Sequence, residues 1–152
     1  MAKTHVDLYT DGACSGNPGV GGWAGILVFG EYEKELTGNT GMSTNNRMEL
    51  TAVIRGLEAL KYPCEVYVYS DSAYVVNGIN KGWLENWKKN NWKNSAKEDV
   101  SNKDLWQDLD KQLNIHDCTF FKVKGHADHE YNNRCDALAV AAVDRYKEEH
   151  NM

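Results

Sequence analysis

The chain lacks any apolar run near the roughly 20 residues needed to cross a bilayer, and it has no C-x-x-C pair, low-complexity tract or Pro- or Ser-rich linker. Its four cysteines, Cys14, Cys64, Cys118 and Cys135, are scattered, and no secretory leader precedes the first strand-like segment. Reduced thiols and a cytoplasmic location are therefore expected. There is no repeat of solenoid length and no sustained heptad seam, so a single domain over residues 1–152 and a monomer are expected.

Basic charge is also short: 17 Lys and Arg face 22 Asp and Glu, for a net −5. That balance argues against a polyanionic partner until its distribution is considered. Lys81, Lys88, Lys89, Lys93 and Lys97 crowd one segment interleaved with Trp83, Trp87 and Trp92, and Glu85 is the one acid among them. Each bound divalent ion would offset two further negative charges. Acidity overall does not exclude a nucleic acid.

Periodicity divides the chain into strands and helices. His5 to Thr10 alternates as a strand, and a Gly-rich turn is expected from Gly12 to Gly22. Trp23 to Phe29 and Tyr32 to Thr37 read as a hairpin joined at Gly30-Glu31. Leu50, Val53, Ile54 and Leu57 fall at i, i+3, i+4 and i+7, which predicts a helix from near Asn46 to before Pro63. Val66 to Tyr69 and Thr119 to Val123 are further strands. Helices are expected at Ser72 to Asn80, in part of Gly82 to Lys97, and around Leu105 to Leu113. A long C-terminal helix carries Cys135, Leu138, Ala139, Ala142, Val143 and Tyr146 on one face. The order predicts an α/β fold with a mixed sheet covered by helices.

Four carboxylates stand out by position. Leu8-Tyr9-Thr10-Asp11-Gly12 and Val68-Tyr69-Ser70-Asp71-Ser72 are near copies, each closing an apolar strand with an acid. If the strands are parallel neighbours, about 4.8 Å apart, the two acids share an edge. Each also has an ordinary reading: Asp11-Gly12 as a turn, Asp71 as a helix N-cap, Glu49 in a capping box with Asn46, and Asp136 as a solvated acid. Glu49 lies at the flank of its apolar stripe, however, and Asp136 adjoins Cys135 at the margin of another. Gathered at one rim, four anions would raise one another's pKa values, and hard divalent cations such as Mg²⁺ would relieve that repulsion.

Five blocks together resemble bacterial type 1 ribonuclease H: Tyr9 to Gly19, Thr44 to Leu50, Tyr69 to Ser72, Val123 to Ala127 and Asn132 to Asp136. The resemblance implies a ribonuclease H-like fold, with a five-stranded mixed sheet made of a three-stranded antiparallel meander plus two parallel strands. It implies endonucleolytic cleavage of the RNA strand of RNA–DNA hybrids, leaving 5′-phosphate and 3′-hydroxyl ends. Asp11, Glu49, Asp71 and Asp136 are then similar to the family's metal acids, holding two Mg²⁺ ions with Mn²⁺ as a substitute, and Asp11 bridges the pair. His126 is similar to a mobile histidine that assists proton movement or product departure. Gly12, Cys14, Asn17, Thr44, Asn45, Asn46 and Met48 fall at positions for sugar, minor-groove and phosphate contacts. The Lys/Trp segment at about 81–99 resembles a basic protrusion, with Trp83, Lys88, Lys89 and Lys93 toward substrate, although packing among its tryptophans is also expected. Three departures bear on binding strength: Met42 where relatives place an arginine, Ala73 in place of a glutamine, and Glu98 with Asp99 diluting the basic segment.

Other readings are weaker. Gly19-Val20-Gly21-Gly22-Trp23-Ala24 matches a dinucleotide phosphate loop, but a strand follows it where that motif needs a helix. Cys118, His126, His129 and Cys135 fit no standard zinc spacing. A non-catalytic hybrid-binding module and a DNA-cutting nuclease of the same fold remain as alternatives.

Overall fold

The computed structural model describes residues 3–124 and 130–152. Strands β1 (Thr4–Gly16), β2 (Gly19–Phe29) and β3 (Tyr32–Ser43) precede helix α1 (Asn45–Glu58) and strand β4 (Cys64–Ser70). Helices α2 (Ala73–Asn80), α3 (Trp83–Lys89) and α4 (Lys103–Ile115) lead to β5 (Asp117–Lys122) and α5 (Glu130–Glu149). The sheet order is β3-β2-β1-β4-β5. The first three strands form an antiparallel meander, while β4 runs parallel to β1 and β5 parallel to β4. This is the mixed sheet that the resemblance implies.

Strand alternation divides the side chains between two layers. Val6, Leu8, Val66, Val68 and Phe120 face a core shared with Leu50, Val53, Ile54 and Leu57 of α1 and with Trp106 and Leu109 of α4. On the opposite face, Ala24 and Ile26 pack against Cys135 and Ala139 of α5. The small residues on α5 let that helix lie close to the sheet.

One expectation and two ordinary readings of the acids need correction. The Gly12 to Gly22 stretch is not a turn: β1 continues to Gly16, and β2 begins at Gly19. Its glycines serve close packing instead. A Cβ on Gly12 would lie 2.7 Å from the Glu49 nitrogen, and one on Gly22 would lie 2.4 Å from the Ala139 oxygen. Asn46 does not cap α1, because Thr44 Oγ1 accepts the Arg47 N–H at 3.3 Å. Asp71 does not cap α2 either; Ser72 Oγ accepts the Val75 N–H at 3.2 Å. With the capping work done by neighbours, Glu49 and Asp71 are left for other contacts.

Candidate metal centre and nucleic-acid face

The β1–β4 register pairs Thr4 with Cys64 and holds to the pair Tyr9 and Tyr69. Asp11 and Asp71 each follow two residues later; Asp11 stays within β1, paired with Ala24 of β2, and Asp71 lies just past the end of β4, so the two acids stand at the same level. Glu49 joins them from the second turn of α1, which Gly12 allows to approach β1 closely. Carboxylate oxygens of Asp11, Glu49 and Asp71 all lie within 4.8 Å of one another. Asp136, on α5, adds to the rise of the Asp11 pKa but lies outside that trio.

The electrostatics are those of crowded anions. Burial, followed by the charge of Asp71, pushes the Asp11 carboxyl up to about 7. Glu49 is raised well above the usual range by burial and then by Asp11 and Asp71. Its Oε2 is buried and has no hydrogen-bond partner among the described residues. Three carboxylates converging on one point, one with an unused buried oxygen, make the donor set that a hard divalent cation takes. The residues present therefore fit such an ion.

The walls of the site are tied together by α5. Cys135 Sγ donates to the Tyr9 oxygen at 3.3 Å, and Asn132 Nδ2 to the Tyr69 oxygen at 3.4 Å. These carbonyls lie two residues before Asp11 and Asp71. A stack of Tyr131, Tyr9, Tyr69 and Phe121, with ring centroids 4.6, 4.8 and 5.3 Å apart, stiffens the same strand ends.

The residues expected at the groove gather around the α1 N-terminus. Asn17 Oδ1 accepts the Asn45 N–H at 3.2 Å, joining the β1–β2 connection to the helix. Cys14 Sγ reaches the carbonyls of Gly19 at 3.5 Å and Ser43 at 3.4 Å. Asn45 and Asn46 are exposed, Thr44 and Gly12 half-buried and Met48 buried. Met42 is 71% exposed, and Ala73 opens α2 on the surface. His126 lies outside the described residues.

The protrusion is more neutral than its sequence implies. Lys88 meets Asp110 at 3.1 Å and Glu85 at 3.6 Å, and Lys93 meets Asp99 at 2.5 Å. Among the described residues Lys89 has no acidic partner. Trp87 packs edge-on against Trp106 at 5.2 Å, and Trp92 also borders the core, while Trp83 tilts against Trp87 at 6.4 Å.

One cluster carries no obvious sequence signal. Arg47 grips Asp104 with two N–H groups at 3.0 and 2.7 Å and reaches Asn102 Oδ1 at 3.3 Å. The Tyr74 hydroxyl accepts from Asn102 at 3.1 Å and from the Trp106 indole at 2.9 Å. Asn102 has φ +60 and spends its side chain on this network rather than on capping α4. The cluster fixes α1 relative to α2 and α4 through hydrogen bonds between residues 28 or more positions apart, which no local pattern encodes.

The fold and the carboxylate rim define a metal-dependent nuclease class, and comparison with known proteins agrees. The RNase H family model matches residues 3–144. Ribonuclease H of Acetivibrio thermocellus is 60% identical over 138 residues, covering 91% of this chain and 94% of that protein. Ribonuclease H of Chlorobaculum parvum is 57% identical over 143 residues, covering 94% and 97%. Among solved structures, LC9-RNase H1, described as a type 1 RNase H with the type 2 active-site motif, superposes with TM-score 0.85 at 27% identity, covering 95% of this chain and 74% of that one. LC11-RNase H1, solved in complex with an RNA/DNA hybrid, shares the fold with TM-score 0.70 at 24% identity, covering 93% and 98%. The chain belongs to the ribonuclease H family, in its bacterial type 1 branch. Among the described residues no helix is long and apolar enough to cross a membrane.

Proposed function

We propose that this chain hydrolyses the RNA strand of RNA–DNA hybrids, with Asp11, Glu49, Asp71 and Asp136 holding two Mg²⁺ ions, replaceable by Mn²⁺. The observation that carries the reading is the meeting of three carboxylates within 4.8 Å, with a partnerless buried Glu49 oxygen. The family and the hybrid bound by LC11-RNase H1 support the substrate. Such ions would supply a lowered pKa for the attacking water and charge stabilisation for the leaving 3′ oxygen of an in-line displacement.

The chain's own residues orient this chemistry. Asp11, one of the trio, would hold the ions together with Glu49, Asp71 and Asp136. Glu49 accepts a hydrogen bond from the substrate 2′-hydroxyl, the group that distinguishes RNA from DNA, and so couples recognition to the acid cluster. Asn17, Thr44, Asn45 and Asn46 cluster at one helix end, where they hold sugars and phosphates, with Gly12, Cys14 and Met48 beneath. Trp83, Lys88, Lys89 and Lys93 of the protrusion grip the backbone, and His126 assists departure of product. The reading extends to one domain over residues 1–152, acting as a monomer in the cytoplasm, in keeping with four cysteines not bonded to one another.

The test is to incubate labelled hybrid, duplex DNA and duplex RNA with Mg²⁺ and again with chelator. Cleavage of the hybrid RNA strand alone, abolished by chelation, is expected. Binding without cleavage would favour a recognition module, and cutting of duplex DNA a different nuclease. Asp71→Asn and Glu49→Gln should keep the fold, since Thr44 and Ser72 supply the caps, yet lose turnover.

A further inference from the structure

A cavity of about 350 Å³ opens between the end of β3 and the outer face of α1, within the size range of small-ligand sites. Arg47, Thr51 and Arg55 line it at i, i+4 and i+8 along the helix. Ser43, the last residue of β3, closes it with a hydroxyl that is buried, in a residue only 5% exposed, and without a hydrogen-bond partner among the described residues. Among the described residues the wall contains no carboxylate. Three other surface cavities each include one, from Glu33, Glu58 or Asp144. In a chain of net charge −5, a cavity whose described wall holds two guanidinium groups and no acid is complementary to an anion once the exposed Arg55–Glu58 pair opens.

The arginines have different roles there. Arg47 is committed to Asp104 through two N–H groups, which offset most of its charge, so it serves as a fixed part of the wall. Arg55 meets one oxygen of Glu58 in an exposed i,i+3 pair, an interaction of little strength in water, so its guanidinium can turn toward an incoming oxyanion. The apolar side of the cavity comes from Trp23, Met42 and Met48. Gly38 lets the indole lie against β3, since a Cβ there would stand 2.4 Å from the ring nitrogen. A flat ring beside a cationic, hydroxyl-bearing wall suits a base joined to a phosphate.

We propose that this cavity is a nucleotide subsite, with Arg55 and Ser43 binding the phosphate and Trp23 with Met42 receiving the base. It lies outside the groove set of Gly12, Cys14, Asn17, Thr44, Asn45 and Asn46, and shares Met48 alone with it. The nucleotide is either free in solution or an unpaired residue of a strand running beyond the duplex end. Both present the same chemistry. The subsite does not depend on the divalent-ion reading.

The experiment measures binding in chelator, so that catalysis plays no part. Calorimetry with deoxyadenosine monophosphate and with inorganic phosphate is compared with fluorescence binding of a blunt hybrid and of hybrids carrying a single-stranded DNA overhang. Arg55→Gln and Ser43→Ala are each expected to weaken occupancy of the subsite about tenfold, the loss of one charge-assisted or buried hydrogen bond, with Arg55→Lys recovering part of it. Loss confined to the mononucleotide identifies a free ligand. Loss of the preference for an overhang identifies the strand. The proposal is overturned if neither mononucleotide binding nor any overhang preference depends on Arg55 and Ser43. Cleavage of blunt hybrid with Mg²⁺, assayed in parallel, should be unchanged in both variants, and a failure there would bear on the catalytic reading separately.

Discussion

Replacing Asp11 by Asn should make the metal-free protein more stable at neutral and alkaline pH while removing its activity. Asp11 is 7% exposed, and its carboxyl is pushed from 3.8 up to about 7 by burial and by Asp71. A carboxyl whose pKa is higher folded than unfolded keeps its proton longer in the folded state. Stability of the metal-free protein must then fall as pH rises from about 4 toward 7 and stay reduced above that. A rise of roughly three units at about 1.4 kcal/mol each sets a ceiling near 4 kcal/mol. Solvent reaching the half-buried Asp71 screens part of this, and about 2 kcal/mol is the expected gain. Urea denaturation of wild type and Asp11→Asn in chelator at pH 4, 6 and 8 measures it. The gap should be near zero at pH 4, open by pH 8 and narrow again when Mg²⁺ is added to wild type. A variant less stable than wild type at pH 8, or a gap that ignores pH, would refute the account of the site as mutually repelling anions.

Other consequences are open to direct measurement. Gly12→Ala places a methyl group against the Glu49 nitrogen and Met48 backbone of α1; a loss of about 1–3 kcal/mol in urea denaturation is expected, with turnover falling further because Glu49 moves. In the protrusion, Lys89→Ala should reduce the slope of log affinity for hybrid against log salt by about 0.9. Lys88→Ala and Lys93→Ala should do less, since Asp110 and Asp99 already neutralise those amines; the reverse order would show that these pairs break on binding. His5 lies between Glu65 at 2.8 Å and Asp7 at 2.9 Å, edge-on to Tyr67, and although burial pulls its pKa down, the two hydrogen-bonded carboxylates raise it above 6.5. Its contribution is complete below about pH 6.5 and lost as pH rises through the higher folded value. The melting temperature of His5→Asn should thus fall below wild type at pH 5.5 and converge with it by pH 9.

What could be read from the sequence was whatever repeats with a local period. The stripe of Leu50, Val53, Ile54 and Leu57 defines α1, and the alternation of Val6, Leu8 and Thr10 defines β1, because one face of each must be buried. The paired Tyr-x-Asp endings at Asp11 and Asp71 likewise anticipated a register that holds the same offset along the whole β1–β4 ladder. Glycines misled, since a Gly-rich run signals either backbone turning or close approach. At Gly12 and Gly22 the reason is the backbone of α1 and α5, distant in sequence. Charge misled in the same way: Lys88 looks free until Asp110, 22 residues on, is brought beside it. Arg47 reads as an exposed helix cation until Asp104 and Asn102 arrive across 55 or more residues. In each case the local pattern set what a residue can do, and a partner supplied by tertiary structure decided whether it is free to do it. The acids at the rim are the inverse case. Thr44 and Ser72 relieve Glu49 and Asp71 of capping, and no basic side chain from elsewhere neutralises the trio among the described residues, so the demand for a cation survives folding.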